Sequence, residues 1–188
     1  MRQSLLDYLR KLKAHGIKHD IPNITEKGGW FLNTLIHLAK PKLILEIGCA
    51  NGYSTIWMAE AAKTVGANLH AIDHSVPTYN EAKQNLKKVG LAPAVRFHFG
   101  DAVTVLSQMS HDMRFDFVFV DGEKASYLDF WKAIEPHLNS GAVAIFDDMM
   151  AFPKKTKLFS EYIKSFEGIN QITIPLDGSD GILLITKH

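Results

Sequence analysis

Cysteine is almost missing from this sequence: one residue of 188, Cys49, carries a thiol. No intrachain disulfide can form, which excludes a disulfide-stapled secreted scaffold. Long apolar runs are missing too, and nothing approaches the ~18–20 apolar residues of a membrane span. The opening stretch, MRQSLLDYLRKLKAHG, is broken by charges at Asp7, Arg10, Lys11 and Lys13 and does not read as a signal peptide. A cytoplasmic location is therefore expected. An excess of either charge is lacking as well, since 21 basic and 20 acidic residues leave a net +1. Proteins that grip a nucleic-acid backbone usually show a basic stripe, and none is visible. Nine histidines are present without an HExxH or other paired metal spacing. Pro- or Ser-rich linkers, repeats and low-complexity segments are absent.

What is present is ordinary for a soluble globular chain: 46% hydrophobic and 22% charged residues. The length suits one domain, taken as 1–188 with 1–40 a helical N-terminal extension. Leu5, Tyr8 or Leu9, and Leu12 recur at helical spacing, so 3–15 reads as a short amphipathic helix with Gly16 as its stop. In NITE, Asn23 stands three residues before Glu26, a capping-box pattern for a helix running through Ala39, with Pro41 as a breaker. Strand-like and helical runs then alternate. Strands are read at 42–47, 68–73, 95–99, 115–121 and 142–147, and helices at 53–65, 78–89, 101–110, 125–138 and 154–166. Two last strands, 169–175 and 181–187, are joined by LDGSD and read as antiparallel neighbours. The pattern predicts a doubly wound α/β fold: a mostly parallel seven-stranded sheet with helices on both faces and the last strand antiparallel.

In such sheets ligands bind beyond the carboxyl ends of the strands. The first strand leads into Glu46-Ile-Gly48-Cys-Ala50-Asn-Gly52-Tyr-Ser54, where the glycines suit either close approach to a ligand or a plain tight turn. Ala50 stands where a G-x-G-x-x-G fingerprint needs its central glycine, which weakens a dinucleotide-binding reading. Asp73 ends the second strand, either to accept ribose hydroxyls or to cap a helix. Asp101, after the third, is placed as an N-cap. The fourth strand ends at Asp121, followed by Gly122-Glu-Lys124, and the fifth at Asp147-Asp148. If those two strands are neighbours, three carboxylates meet at one edge and need a cation, with hard oxygen donors suiting Mg²⁺, Mn²⁺ or Ca²⁺. The alternative is that Asp148 caps a turn in water. Cys49 reads as a small apolar filler, and Trp57, Met58, Ala61 and Trp30 as core.

LEIGCANGYSTIWMA resembles the S-adenosylmethionine loop of class I methyltransferases. FDFVFVDGEKASYLDFW followed by GAVAIFDDMM resembles the cation-dependent O-methyltransferases, the group of catechol and caffeoyl-CoA O-methyltransferases and their small bacterial relatives. The resemblance runs over roughly 20–188 and ends in DGILLITK. It implies a Rossmann-like fold and an enzyme that moves a methyl group onto a metal-bound hydroxyl of a small catechol-like or vicinal-diol acceptor. It implies S-adenosyl-L-methionine as donor, held by Glu46, Gly48, Gly52, Ser54, Asp73, Asp101, Ala102 and Asp121. It further implies a divalent cation, Mg²⁺ first, on Asp121, Asp147 and Asp148, with Lys124 as general base and a homodimer as the assembly. Such a lysine can take a proton if its surroundings depress its pKa toward neutrality. The chain departs from the family pattern at Asp148, where Asn is usual, and in DGEK for the commoner DADK. Three alternatives accompany this reading. One is methylation of a hydroxyuridine in tRNA, a second is a metal-independent class I methyltransferase, and a third, outside methyl transfer, is an NAD-type dinucleotide-binding protein.

Overall fold

The structure is a computed structural model that describes residues 1–178 and 180–188. Seven strands form one sheet in the order β3-β2-β1-β4-β5-β7-β6. They are β1 (Leu43–Ile47), β2 (Asn68–Asp73), β3 (Val95–Phe99), β4 (Phe115–Val120), β5 (Leu138–Phe146), β6 (Ile169–Asp177) and β7 (Asp180–Lys187). The first five pair in parallel. β7 runs antiparallel to both β5 and β6. The expected doubly wound sheet is present, and β4 and β5 are the neighbours that the carboxylate argument required. Of the LDGSD connection, Ser179 lies outside the described residues.

The period of two along each strand sorts the core into two layers. Ile44, Leu69, Phe117, Phe119 and Ile145 face one side, covered by α1 (Gln3–Lys18), α2 (Glu26–Ala39) and α3 (Tyr53–Val65). Leu45, Ile47, Ile72, Val118, Val120, Ala144 and Phe146 face the other. That side is covered by α5 (Ala102–Ser107), α6 (Tyr127–Ile134) and α7 (Lys157–Lys164). Leu86 of α4 (Val76–Lys88) joins the first layer. Trp57, Met58 and Ala61 are fully buried, as their helical spacing implied, whereas Trp30 is 39% exposed and lies edge-on against Trp57 at 5.0 Å.

Several boundaries differ from the sequence reading, each for a local reason. Gly16 does not stop α1, which continues to Lys18. The helical glycine instead lets the loop return closely, with the Ile21 N–H donating to its carbonyl at 2.9 Å. The cap of α2 is Thr25 rather than Asn23: the Thr25 hydroxyl accepts from the Gly28 N–H at 3.0 Å. β5 starts at Leu138, before Gly141, so the preceding helix ends at Ile134 and is followed by a single 3₁₀ turn. Among the described residues, no helix is long and apolar enough to cross a membrane.

Gly29 marks a close approach of α2 to α3, because a Cβ there would run into the indole of Trp57. Gly66 has open space around it and only a positive φ of 79° to defend. Gly29→Ala is therefore expected to cost about 1–3 kcal/mol through overpacking. Gly66→Ala should cost about 1–2 kcal/mol from backbone strain alone. Urea denaturation of the two variants beside the parent checks the order.

Candidate active site

The carboxyl ends of β1, β2, β4 and β5 open into one cleft of about 1030 Å³. Gly48, Ser54, Asp73, Asp101, Ala102, Asp121, Lys124, Asp147 and Asp148 all line it. Nine of the eleven residues singled out in the sequence thus meet at one place. Glu46 and Gly52 are absent from the lining and support it from behind.

The loop after β1 forms the first half. Gly48 has φ 89°, and an added Cβ would sit 2.5 Å from the carbonyl oxygen of Asp121. A side chain there would push apart the loops that follow β1 and β4. Ala50 also adopts a left-handed conformation, φ 42°, which is uncommon for a residue with a Cβ. Its N–H donates to the Asp73 carboxylate at 2.8 Å, and the other oxygen of Asp73 accepts from the Ser75 N–H at 2.8 Å. Asp73 therefore fixes the loop and the turn after β2, while each of its oxygens keeps acceptor capacity facing the cleft. Asp101 is the N-cap of α5, accepting from the Thr104 N–H at 2.9 Å. Cys49 is buried, and that burial drives its thiol pKa far up, as suits a filler.

Glu46 lies under α3 on the first face of the sheet. It is fully buried and accepts from the Ser54 hydroxyl at 2.5 Å and the Thr55 hydroxyl at 2.6 Å. Burial pushes its pKa up to about 8, although both hydroxyls oppose the shift. Ser54 is thus oriented toward the carboxyl beneath it as well as bordering the cleft.

The second half is a crowd of carboxylates around one ammonium. Lys124, 9% exposed, lies 2.5 Å from Asp121 and 2.9 Å from Asp148, with its ammonium 5.5 Å from the centre of the Tyr127 ring. Burial pulls the Lys124 pKa down, but the two carboxylates outweigh it and hold the lysine above its ordinary value. The depression toward neutrality expected of a general base is therefore not found in this arrangement; Lys124 is an ammonium. Burial, reinforced by repulsion from Asp121 and Asp148, pushes Asp147 up to about 8. Burial also raises Asp180, to about 6, together with its hydrogen bond to Asp148. Asp148 is held low despite its burial by Asp180 and Lys124. Its φ of 55° is one that Asn and Asp tolerate best, which accounts for an amide or acid at this position.

Asp180 was not anticipated. Ligand oxygens of Asp147, Asp148 and Asp180 lie within 4.8 Å of one another, and among the described residues this is the tight acidic group. Asp121, expected to be the third member, lies outside that group and pairs with Lys124, which also pairs with Asp148. The available signal was the antiparallel placement of β7, which brings its first residue to the carboxyl end of β5. The donor set fits a divalent cation: three hard oxygens at that spacing suit Mg²⁺, Mn²⁺ or Ca²⁺. Lys13 and Phe152 were also unforeseen in the cleft lining, together with Lys155, which pairs with Glu123 at 3.3 Å.

A family model described as O-methyltransferase matches residues 2–187. The chain belongs to the O-methyltransferase family. It is 32% identical over 148 residues to caffeoyl-CoA O-methyltransferase 2 of Petunia hybrida, covering 76% of this chain and 61% of that protein. It is 32% identical over 112 residues to the catechol O-methyltransferase of Niastella koreensis, covering 58% of this chain and 50% of that one. The chain thus spans about 61% of the length of the plant relative. Among solved structures, an O-methyltransferase from Bacillus cereus in complex with SAH superposes with TM-score 0.88 at 22% identity, covering 97% and 91% of the two chains. The O-methyltransferase TomG from Streptomyces achromogenes, in complex with SAM, does so with TM-score 0.86 at 25% identity, covering 96% and 89%.

The buried Glu46 gives this site a pH signature. Its folded pKa of about 8 lies above the ordinary carboxyl value, so the native state binds the extra proton. The stability it contributes is complete below about pH 4.5 and is lost as pH rises through about 8. Glu46→Gln should remove that dependence. Between pH 5 and pH 8 its stability relative to the parent should climb by up to about 1.4 kcal/mol per pH unit. Chemical denaturation at both pH values tests this, and a constant difference would contradict it.

Proposed function

We propose that this chain, folded as one methyltransferase domain over 1–188, transfers a methyl group from S-adenosylmethionine to a hydroxyl of a small catechol-like or vicinal-diol acceptor. The observation that carries the reading is the single cleft that joins the two halves, with Gly48 lying against the backbone of Asp121. A donor on the glycine loop would thereby meet an acceptor seated among the carboxylates. The family membership and the names of the catechol and caffeoyl-CoA relatives support the same acceptor class.

In this reading Asp73 accepts from the ribose hydroxyls, and Asp101 and Ala102 border the adenine. Gly48, Gly52 and Ser54, backed by Glu46, shape the donor's seat, and Asp121 joins it to the acid cluster. The acceptor oxygen bonds to the methyl carbon as the sulfur–methyl bond breaks, and the electron pair goes to sulfur, leaving S-adenosylhomocysteine. The hydroxyl proton leaves toward Lys124 Nζ, which can receive it only from a state in which Asp121 and Asp148 no longer hold it as an ammonium. Asp147 and Asp148, with Asp121 or Asp180 as third partner, would hold a divalent cation. Bound there, such a cation would lower an acceptor hydroxyl's pKa, fix its direction and screen the carboxylates that keep Lys124 charged. Phe152 and the apolar stems of Lys13 and Lys155 border the space left for the acceptor ring.

Lys124→Met should lower catechol methylation by about 10²- to 10⁴-fold while S-adenosylhomocysteine still binds. Chelation by EDTA should also suppress turnover, and added Mg²⁺ should restore it. Turnover at the parent rate in Lys124→Met would remove the proton-accepting role, and full turnover in EDTA would remove the cation.

A further inference from the structure

We propose that Tyr8 of the N-terminal helix is a positioning residue for the glycine loop, acting through Asn85 on the backbone at Asn51. The proposal rests on the reading of that loop as the donor's seat. Tyr8 itself is not part of the cleft lining.

The loop conformation is one the chain would not adopt unaided. Ala50 has φ 42°, and a non-glycine residue in that region persists where its surroundings over-determine it. Two tethers flank it. On one side the Ala50 N–H is held by Asp73, as described. On the other, the Asn51 carbonyl accepts from Asn85 Nδ2 of α4 at 2.9 Å. Asn51 is fully buried and Asn85 is 3% exposed.

The chemistry of this second tether leads back to α1. A backbone carbonyl can only accept, so Asn51 dictates which end of the Asn85 amide faces it, and the amide oxygen must turn the other way. In a buried site that oxygen needs a donor. The Tyr8 hydroxyl donates to it at 2.8 Å, across 77 residues of sequence. Without the hydroxyl, the amide oxygen is left unsatisfied and the amide loses the contact that fixes its orientation. The C-terminal half of the same helix borders the acceptor side of the cleft with Lys13 and Ile17. Lys13 is anchored in turn on the carbonyls of Asn23 and Ile24. One helix therefore bears on both ends of the cleft, through Tyr8 at the donor loop and through Lys13 and Ile17 at the acceptor side. His15 makes a separate contact from α1 to α4, 3.2 Å from Glu81, and serves as an internal control.

The test uses Tyr8→Phe, Asn85→Ala and the double variant, with His15→Ala as control. Two measurements are made: the dissociation constant for S-adenosylhomocysteine by calorimetry, and site-resolved amide exchange of Ala50 relative to Phe117 in β4. Tyr8→Phe should weaken binding about 2- to 10-fold and speed Ala50 exchange. In the Asn85→Ala background it should change neither. His15→Ala should leave Ala50 exchange unmoved, because a merely structural role for α1 would affect both contacts alike. Unchanged Ala50 exchange in Tyr8→Phe, an equal loss in the Asn85→Ala background, or an equal response in His15→Ala would each overturn the relay. If the parent protein bound no S-adenosylhomocysteine, the donor reading would fall, while the exchange measurement, which needs no ligand, would still decide the relay.

Discussion

Lys124 stands between Asp121 and Asp148, and the end of the sheet depends on that contact. Four acidic side chains, Asp121, Asp147, Asp148 and Asp180, are gathered half-buried at one end of the sheet. Like charges so placed cannot all remain ionised without an opposite charge among them. The lysine supplies one positive charge from within the chain. It stands at the start of a 3₁₀ turn leading into α6, an electrostatically poor place for a cation, which only nearby acids can make favourable. Its burial would be costly without those acids, and theirs without it. The adjacent acids at the end of β5 are thus part of one mutual arrangement that also fixes the loops after β4 and β5.

Everything that brings those groups together is a property of the sheet. The parallel pairing of β1, β2, β4 and β5 delivers the ends of four strands to one edge, and the reversal at β7 delivers Asp180 to it. The two faces divide the work. On one, α3 covers Glu46 and presents Ser54 to the cleft. On the other, α6 seats Tyr127, whose hydroxyl donates to the carbonyl of Asp147 at 2.9 Å. The peptide that joins the two acids of the pair is therefore held by a core aromatic residue rather than by loop residues alone.

Much of this was legible in the sequence, and what was not has a physical pattern. The alternation of β-rich and helical runs carried the sheet, because each buried strand is a short apolar run and each crossover helix is amphipathic. Asp121, Lys124, Asp147 and Asp148 were legible because chemistry in such folds collects just after strands. Gly16 reads as a stop because sequence cannot show that a loop returns against the helix. Asn23 and Thr25 are both capping residue types two positions apart, and sequence alone does not separate them. Asp180 and Asn85 were invisible for a deeper reason. One matters only once β7 is known to run beside β5, and the other only once α4 is known to lie behind the glycine loop. The elevated pKa of Lys124 was likewise hidden, since it depends on how closely Asp121, three residues away, and Asp148, a neighbour only in space, approach the ammonium.

The sheet order leaves β3 and β6 at its margins, and β6 carries Pro175. A marginal strand offers a row of free N–H and C=O groups on which a foreign strand can crystallise, as in fibril growth. Proline has no N–H to offer and is tolerated in sheets chiefly at such margins. Ile172, 59% exposed on the same strand, would otherwise make this border adhesive. Pro175 interrupts the template three residues further on, so this lateral margin of the sheet is guarded against unwanted polymerisation.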